Sequence, residues 1–317
     1  MSSTPFVQIP TRCITEGMRI TSEHGVLPCP NCGGHTWFEE TDQILRCESC
    51  KGGLPIRNRI VDCFQMLDSE GSTTSDWEDF YRASTKPYSA KEDWWCLSSW
   101  KRHLFGVHPG DLSGKLVVDF GCGTAVRVAA LVPITVHSYR YVGIDSSMAA
   151  LAHAARVIPG GLFVHGTLDS LRLRAESADI VLCLGVLMYA EHLTNSLCQL
   201  LHVLKPGGIL LLHEQIRRIS WRKFFQRFVR LGREPYPPAF GVELHGLEYL
   251  LERRGAILHR HVGGSPLRRL FMRLLDGTVL EPLRPLASWL DSVWCVTVGR
   301  LLPAVGASEV QIVFQKT

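Results

Sequence analysis

Along the middle of the chain, apolar residues collect in short unbroken runs rather than in helical stripes. Runs at 116–120, 141–144, 162–165, 180–184 and 209–212 show no polar alternation, the pattern of strands buried on both faces. Helix patterns at 126–131, 148–156 and 195–204 lie between them, the last stopped by Lys205-Pro206-Gly207-Gly208. Alternation of this kind predicts an α/β protein with a doubly wound, parallel sheet. Beyond Glu214 the reading adds a helix at 244–254 and strands at 257–262 and 309–314. A Leu- and Arg-rich insertion at about 265–307 separates the two strands.

The N-terminal part has a different texture. Cys29-Pro-Asn-Cys32 and Cys47-Glu-Ser-Cys50 form a C-x2-C-x14-C-x2-C pattern, with short strand candidates at 36–38 and 43–46 between the pairs. Two CxxC turns present four thiolates, the shell of a tetrahedral zinc with no open position, so Cys29, Cys32, Cys47 and Cys50 are expected to hold a structural Zn2+. Metal binding would stand in for the hydrophobic core that so short a segment lacks. The expected organisation is a zinc ribbon over 1–60, an aromatic helical lid or linker over 61–113, and a larger domain over 114–317.

Composition sets the outer bounds. With 317 residues, 46% hydrophobic and 20% charged, the chain is globular rather than disordered. A net charge of +4 is too small by itself to imply nucleic acid. No apolar run reaches the roughly 18–20 residues needed to cross a bilayer. The 11 cysteines, in a chain without a secretory signal pattern at its start, suggest metal ligands and buried thiols in a soluble, cytoplasmic protein.

Candidate chemistry concentrates at the ends of the predicted strands. Asp119-Phe120-Gly121-Cys122-Gly123-Thr124-Ala125 closes one strand and opens a helix, where glycines let backbone N–H groups approach a ligand. The dinucleotide fingerprint fails, since no third glycine follows in its place. Gly143-Ile144-Asp145 ends the second strand with an acid suited to a ribose diol. His165-Gly166-Thr167-Leu168 and Cys183-Leu184-Gly185 end the third and fourth, all converging on one edge of the sheet. Each acid taken alone could merely cap the helix that follows it.

In this order the segments VDFGCGTA, GIDSS, SADIVLCLGVLMYAEH and LKPGGILLL resemble the motifs of class I S-adenosylmethionine-dependent methyltransferases. The resemblance covers about 75–262 and the last strand. It implies a Rossmann-like, mostly parallel sheet with an antiparallel last strand. It further implies S-adenosylmethionine as methyl donor and S-adenosylhomocysteine as product. Gly121 and Gly123 would border the methionine part, and Asp119 would orient its amino group. Asp145 would hold both ribose hydroxyls, with Ser146 beside the adenine. Thr167 and Leu168 would flank the adenine, and Cys183 would offer its backbone carbonyl near the amino group. Two positions depart from the pattern: Ala125 where a third glycine is common, and Thr167 where many relatives carry Asp. Tyr81 and Tyr88, from the aromatic stretch, would fold over the cofactor as a lid.

Methyl transfer needs a general base only if the acceptor loses a proton. His213 after the fifth strand, Tyr189 after the fourth and His245 at the start of the 244–254 helix are the candidates. The favoured acceptor is a small-molecule, natural-product or lipid-like metabolite. The alternative is RNA, since a zinc ribbon ahead of such a domain also resembles some ribosomal-RNA guanine methyltransferases. Residues 217–233 carry seven Arg or Lys and no acid; they would contact phosphates or an anionic membrane surface, or form a solvated helix face. A cofactor-binding module without turnover is a lesser alternative.

Overall fold

Among the described residues, eleven strands, numbered in chain order, hydrogen-bond into one sheet, in the order β1-β2-β3-β4-β7-β6-β5-β8-β9-β11-β10. The structure is a computed structural model that describes residues 26–29, 31–35, 37–41, 43–63, 74–83, 114–131, 140–168, 171, 173–190, 192–216, 242–263, 281–298 and 309–317. The basic segment 217–233, Tyr88 and most of the 265–307 insertion lie outside the described residues.

The doubly wound part consists of β5 (Leu116–Phe120), α2 (Val126–Leu131), β6 (Arg140–Asp145), α3 (Met148–Val157), β7 (Leu162–His165), β8 (Ala178–Leu184), α4 (Leu193–Val203) and β9 (Leu204–Gln215). It closes with α5 (Leu244–Glu252), β10 (Gly255–Gly263), α6 (Arg284–Val296) and β11 (Glu309–Lys316). The five strands β7, β6, β5, β8 and β9 pair in parallel, while β11 pairs antiparallel with both β9 and β10. All five residues of β5 are buried, as its unbroken Leu-Val-Val-Asp-Phe run predicts. The order reverses between β5 and β8, the place where doubly wound sheets leave a crevice for ligand.

The fifth strand is longer than its apolar run. Leu204 already pairs with Ala178, and the chain passes through Pro206 and Gly207 (φ +75°) before the register resumes at Ile209. Lys-Pro-Gly-Gly does follow the end of α4 at Val203, as expected, and it also forms an irregularity inside the strand that begins there. Within the insertion, 284–296 is helical and packs against β10.

The N-terminal elements are β1 (Trp37–Thr41), β2 (Ile44–Cys47), β3 (Gly53–Arg57) and β4 (Ile60–Asp62), an antiparallel meander. The β3–β4 hairpin turns on Asn58 (φ +52°) and Arg59 (φ +67°), the two positive angles of a type I′ turn. Then β4 pairs parallel with β7, Ile60 opposite Phe163 and Asp62 opposite His165. The cysteine-bearing meander therefore extends the edge of the α/β sheet, and its core residues Val26, Trp37, Leu45 and Leu54 join the apolar cluster on one face of that sheet. Among the described residues between the two parts lies a helix, α1 (Thr74–Ala83), which packs on α3.

Because Ile60 is wholly buried at this seam, Ile60→Ala is expected to destabilise the folded chain by about 2–4 kcal/mol. Urea unfolding followed by circular dichroism should remain a single transition; a loss under about 0.5 kcal/mol would mean that the seam is not packed as described.

Candidate active site

The turn after β5 is built from left-handed backbone. Gly121 (φ +65°) and Gly123 (φ +53°) both adopt it, and so does Ala125 (φ +56°). A methyl group on Gly121 would run into the Val186 side chain; one on Gly123 would lie 2.7 Å from the Tyr81 hydroxyl. The turn is thus held close on one side by the segment after β8 and on the other by α1. At Ala125, where glycine would be strain-free, the left-handed angle costs roughly 1–2 kcal/mol.

Two carboxylates flank this turn. Asp119 lies at the end of β5, 3% exposed, and accepts a hydrogen bond from the Tyr141 hydroxyl at 2.9 Å. Burial pushes its carboxyl up to about 7, opposed by the Tyr141 bond and by the Arg127 guanidinium. Asp145, at the end of β6 and also buried, accepts from Gly123 N at 2.8 Å and from Ser147 N at 2.9 Å. Burial raises it as well, while those N–H groups and His165 pull the other way.

A third buried acid, Glu214 on β9, organises the segment after β8. Its carboxylate accepts from Val186 N, Leu187 N and Met188 N at 3.2, 3.1 and 3.0 Å. Burial sets it at about 7 against these three bonds. Glu214 is therefore a clamp on a backbone turn, not a free acid awaiting a cationic acceptor. Cys183 lies beside it, fully buried, with its thiol pushed well up by that burial.

Helix α1 belongs to the aromatic stretch expected as a lid, and it lies beside this turn. Trp77 on α1 meets Tyr189 edge-on at 5.0 Å between ring centroids, with Tyr81 and Phe80 packed around it. Glu78, the residue after Trp77, accepts from the Ser147 hydroxyl at 2.6 Å and from Ala149 N at 3.1 Å. Burial works against it, but those two donors and Arg82 hold Glu78 below the usual range. Ser147 in turn accepts from Ala150 N as the cap of α3.

Tyr81 and Tyr189 thus reach the glycine turn and its lid. Ser146 and Leu168 stand beside Asp145 and after β7, Ser146 partly exposed and Leu168 at 9%; Thr167 between them and the strand is half-buried. His213 is mostly buried and pairs through Nε2 with Glu309 of β11 at 3.4 Å. His245 is 88% exposed at the head of α5, so it faces solvent and not the buried cradle. Arg127 was given no role by its sequence context, yet it donates to the Leu184 carbonyl at 2.8 Å and lies near enough to lower Asp119. Glu78 and Tyr141 carry no motif either; only the assembled sheet shows what they hold.

At the other end of the sheet, the four cysteine sulfurs lie within 4.8 Å of one another. Sγ of Cys29 is 3.4 Å from that of Cys50, and Cys32 is 3.6 Å from Cys47. A zinc with bonds of about 2.3 Å needs sulfurs about 3.8 Å apart, so the set fits such an ion with small adjustment. The two turns share one backbone pattern: Cys29 N donates to Gly34 O and Gly33 N to Cys29 O, as Cys47 N does to Gly52 O and Lys51 N to Cys47 O.

Comparisons with known proteins agree with this geometry. Residues 118–212 match the family described as methyltransferase domain. The chain is 34% identical over 103 residues to phthiotriol/phenolphthiotriol dimycocerosates methyltransferase 1 of Mycobacterium ulcerans, covering 32% of this chain and 38% of that one. It is 28% identical over 134 residues to tRNA U34 carboxymethyltransferase of Desulfotalea psychrophila, covering 39% of each. The chain thus spans less than half the length of the curated relatives it matches. Among solved structures, the PH0226 protein of Pyrococcus horikoshii aligns with a TM-score of 0.47 at 14% identity, covering 75% of this chain and 99% of that one.

With folded carboxyls near 7 against 3.8 and 4.5 for free Asp and Glu, Asp119 and Glu214 bind more protons folded than unfolded across that window. Stability of the ligand-free chain is therefore expected to fall as pH rises from about 5 to about 8. Thermal melts of Asp119→Asn and Glu214→Gln should show a shallower fall than wild type, and equal slopes would contradict the assignment. The motifs at the strand ends and the doubly wound strand order fall in the segment, residues 118–212, that matches the methyltransferase domain family.

Proposed function

We propose that this chain transfers the methyl group of S-adenosylmethionine to a small-molecule or lipid-like acceptor. The single observation that carries the reading is the pair of buried acids, Asp119 and Asp145, on either side of a left-handed glycine turn at the carboxyl edge of a parallel sheet. The donor supplies an activated methyl on a positively charged sulfur, displaced in line, so the protein's work is alignment and desolvation. Asp145 has two oxygens and roughly four acceptor positions; the bonds from Gly123 N and Ser147 N leave capacity for a ribose diol. Asp119, ionised, would face the amino group of the donor's methionine part, and Arg127 beside it is suited to the carboxylate of the same part. Tyr81 would close over this end from α1. Ser146, Thr167 and Leu168 would line the adenine end, and the backbone of Cys183 the amino group.

The acceptor reading leans on the Mycobacterium ulcerans relative, named for a lipid substrate. The RNA reading has a relative named for tRNA and rests in this chain on the cysteine-bearing meander and on the basic run 217–233, which lies outside the described residues. Tyr189 and His213 are the candidates for moving an acceptor proton. Tyr189 lies under the lid against Trp77. His213 would first have to leave Glu309. We further propose that Cys29, Cys32, Cys47 and Cys50 hold a structural zinc, which offers the methyl-transfer reaction no open coordination position.

Titration calorimetry with S-adenosylhomocysteine tests the cofactor reading: wild type should bind, and Asp145→Ala should weaken binding by at least about tenfold. Binding should also weaken as pH falls through about 7, because Asp119 gains a proton there; absence of heat from the wild-type chain refutes the proposal. Incubation with radiolabelled donor and either a lipid extract or total RNA separates the acceptor classes. Elemental analysis should find one zinc per chain, reduced in Cys32→Ser together with a lower melting temperature.

A further inference from the structure

The seam between the cysteine-bearing meander and the α/β sheet runs directly beside the adenosine end of the proposed cofactor site. Three strand ends lie in register there: Asp62 of β4 opposite His165 of β7, and His165 opposite Asp145 of β6. Cys63 N donates to the His165 carbonyl at 3.1 Å, and Gly166 N to the Asp145 carbonyl at 3.0 Å, so the backbone is tied across all three.

The side chains continue the tie. Asp62 is 3% exposed, and its carboxylate lies 3.0 Å from Nδ1 of His165, with Arg57 Nε 3.5 Å from its other oxygen. The opposite ring nitrogen of His165, Nε2, lies 3.2 Å from the Ser146 carbonyl. The ring thus bridges two acceptors, the Asp62 carboxylate on one side and the Ser146 carbonyl on the other, and its tautomer decides which nitrogen donates. Ser146 is the residue that separates Asp145 from the Ser147 cap of α3. Its carbonyl and the Ser147 N–H belong to one planar peptide group, so fixing the carbonyl fixes the N–H that donates to Asp145 Oδ1 at 2.9 Å.

We propose that Asp62 and His165 are positioning residues for the adenosine end of the cofactor: Asp62, on the last strand of the meander, orients the His165 ring, and the ring anchors the Ser146 carbonyl and with it the Asp145 carboxylate. Neither residue touches the transferred methyl. The inference rests on the cofactor reading above and adds to it that the N-terminal meander contributes directly to binding of the nucleoside part. The turn at 145–149 is then secured from three sides: by Gly123 N in the glycine turn, by Glu78 on the lid helix, and by His165 acting for Asp62.

The test uses the full chain, S-adenosylhomocysteine as probe, and a pair of variants that divides the ring into its two nitrogens. His165→Gln places an amide donor near the position of Nε2, toward Ser146; His165→Asn places one near Nδ1, toward Asp62. Calorimetry is expected to give His165→Gln an affinity within about threefold of wild type, and His165→Asn an affinity weaker by about tenfold. Asp62→Asn is expected to weaken binding by a similar factor, since it replaces the carboxylate that faces the ring by a weaker amide partner. Melting temperatures of the two His165 variants report any general damage and should lie close together. Equal affinity of His165→Asn and wild type overturns the proposal, and so does equal weakening in the Gln and Asn variants, which would mean that the ring matters only by its volume. If Asp62→Asn fails to fold, the His165 pair still decides. A wild-type chain that binds no S-adenosylhomocysteine overturns the cofactor reading itself and this proposal with it, and the two failures are distinct because the second needs wild-type binding to be seen.

Discussion

Burying a carboxylate without partners is so unfavourable that every acid inside this sheet must be matched by donors, and that requirement shapes its carboxyl edge. Glu214 takes three consecutive backbone N–H groups, from Val186, Leu187 and Met188. Asp145 takes N–H groups from Gly123 and Ser147, and Asp119 takes the Tyr141 hydroxyl. Each acid thereby fixes the path of a turn that a hydrophobic contact could not specify, because apolar burial has no direction whereas a hydrogen bond does. The result is a rim of preset backbone around a crevice, with two of its acids, Asp119 and Glu214, balanced near neutrality by burial.

The same acids divide by role. Glu214 spends its acceptor capacity on the protein, so its buried charge is structural. Asp145 divides its capacity between the glycine turn and the helix cap. Asp119 makes one side-chain bond and lies near Arg127, an arrangement in which a cationic group arriving from outside would be the missing partner. Under the proposed reading, a ligand with an ammonium group, a carboxylate and a diol would suit this set, whereas a phosphate would need donors and positive charge where the strand ends offer acids.

Much of this was legible in the chain. The runs 116–120 and 162–165 gave strand limits that stand unchanged, because strands buried on both faces leave an unbroken apolar signature. The spacing of the four cysteines announced a cluster whose sulfurs do converge. The failures have physical causes. β3 and β4 are short, contain Pro55 and turn on Asn58-Arg59, so they carry too few apolar positions to show a period, and their strand character comes from pairing with β2 and β7. Glu78, Tyr141 and Arg127 act across distances in sequence of about two dozen residues or more, through contacts that only the packed sheet creates. His245 looked like its neighbours in the chain but sits at an exposed helix start.

The meander at the sheet's edge poses a problem of stability as well as position. An open parallel edge at β7 would present unpaired N–H and C=O groups, a liability that proteins cover with another strand, a charge or a bulge. Here β4 covers it, and in doing so brings Asp62 beside His165. A segment with a small apolar core of its own gains the larger core of the sheet, whose face it shares, while the sheet gains a capped edge beside the turn that carries Asp145. Each part thus supplies what the other lacks. For that reason the cysteine cluster is connected to the crevice through one short strand and one imidazole ring.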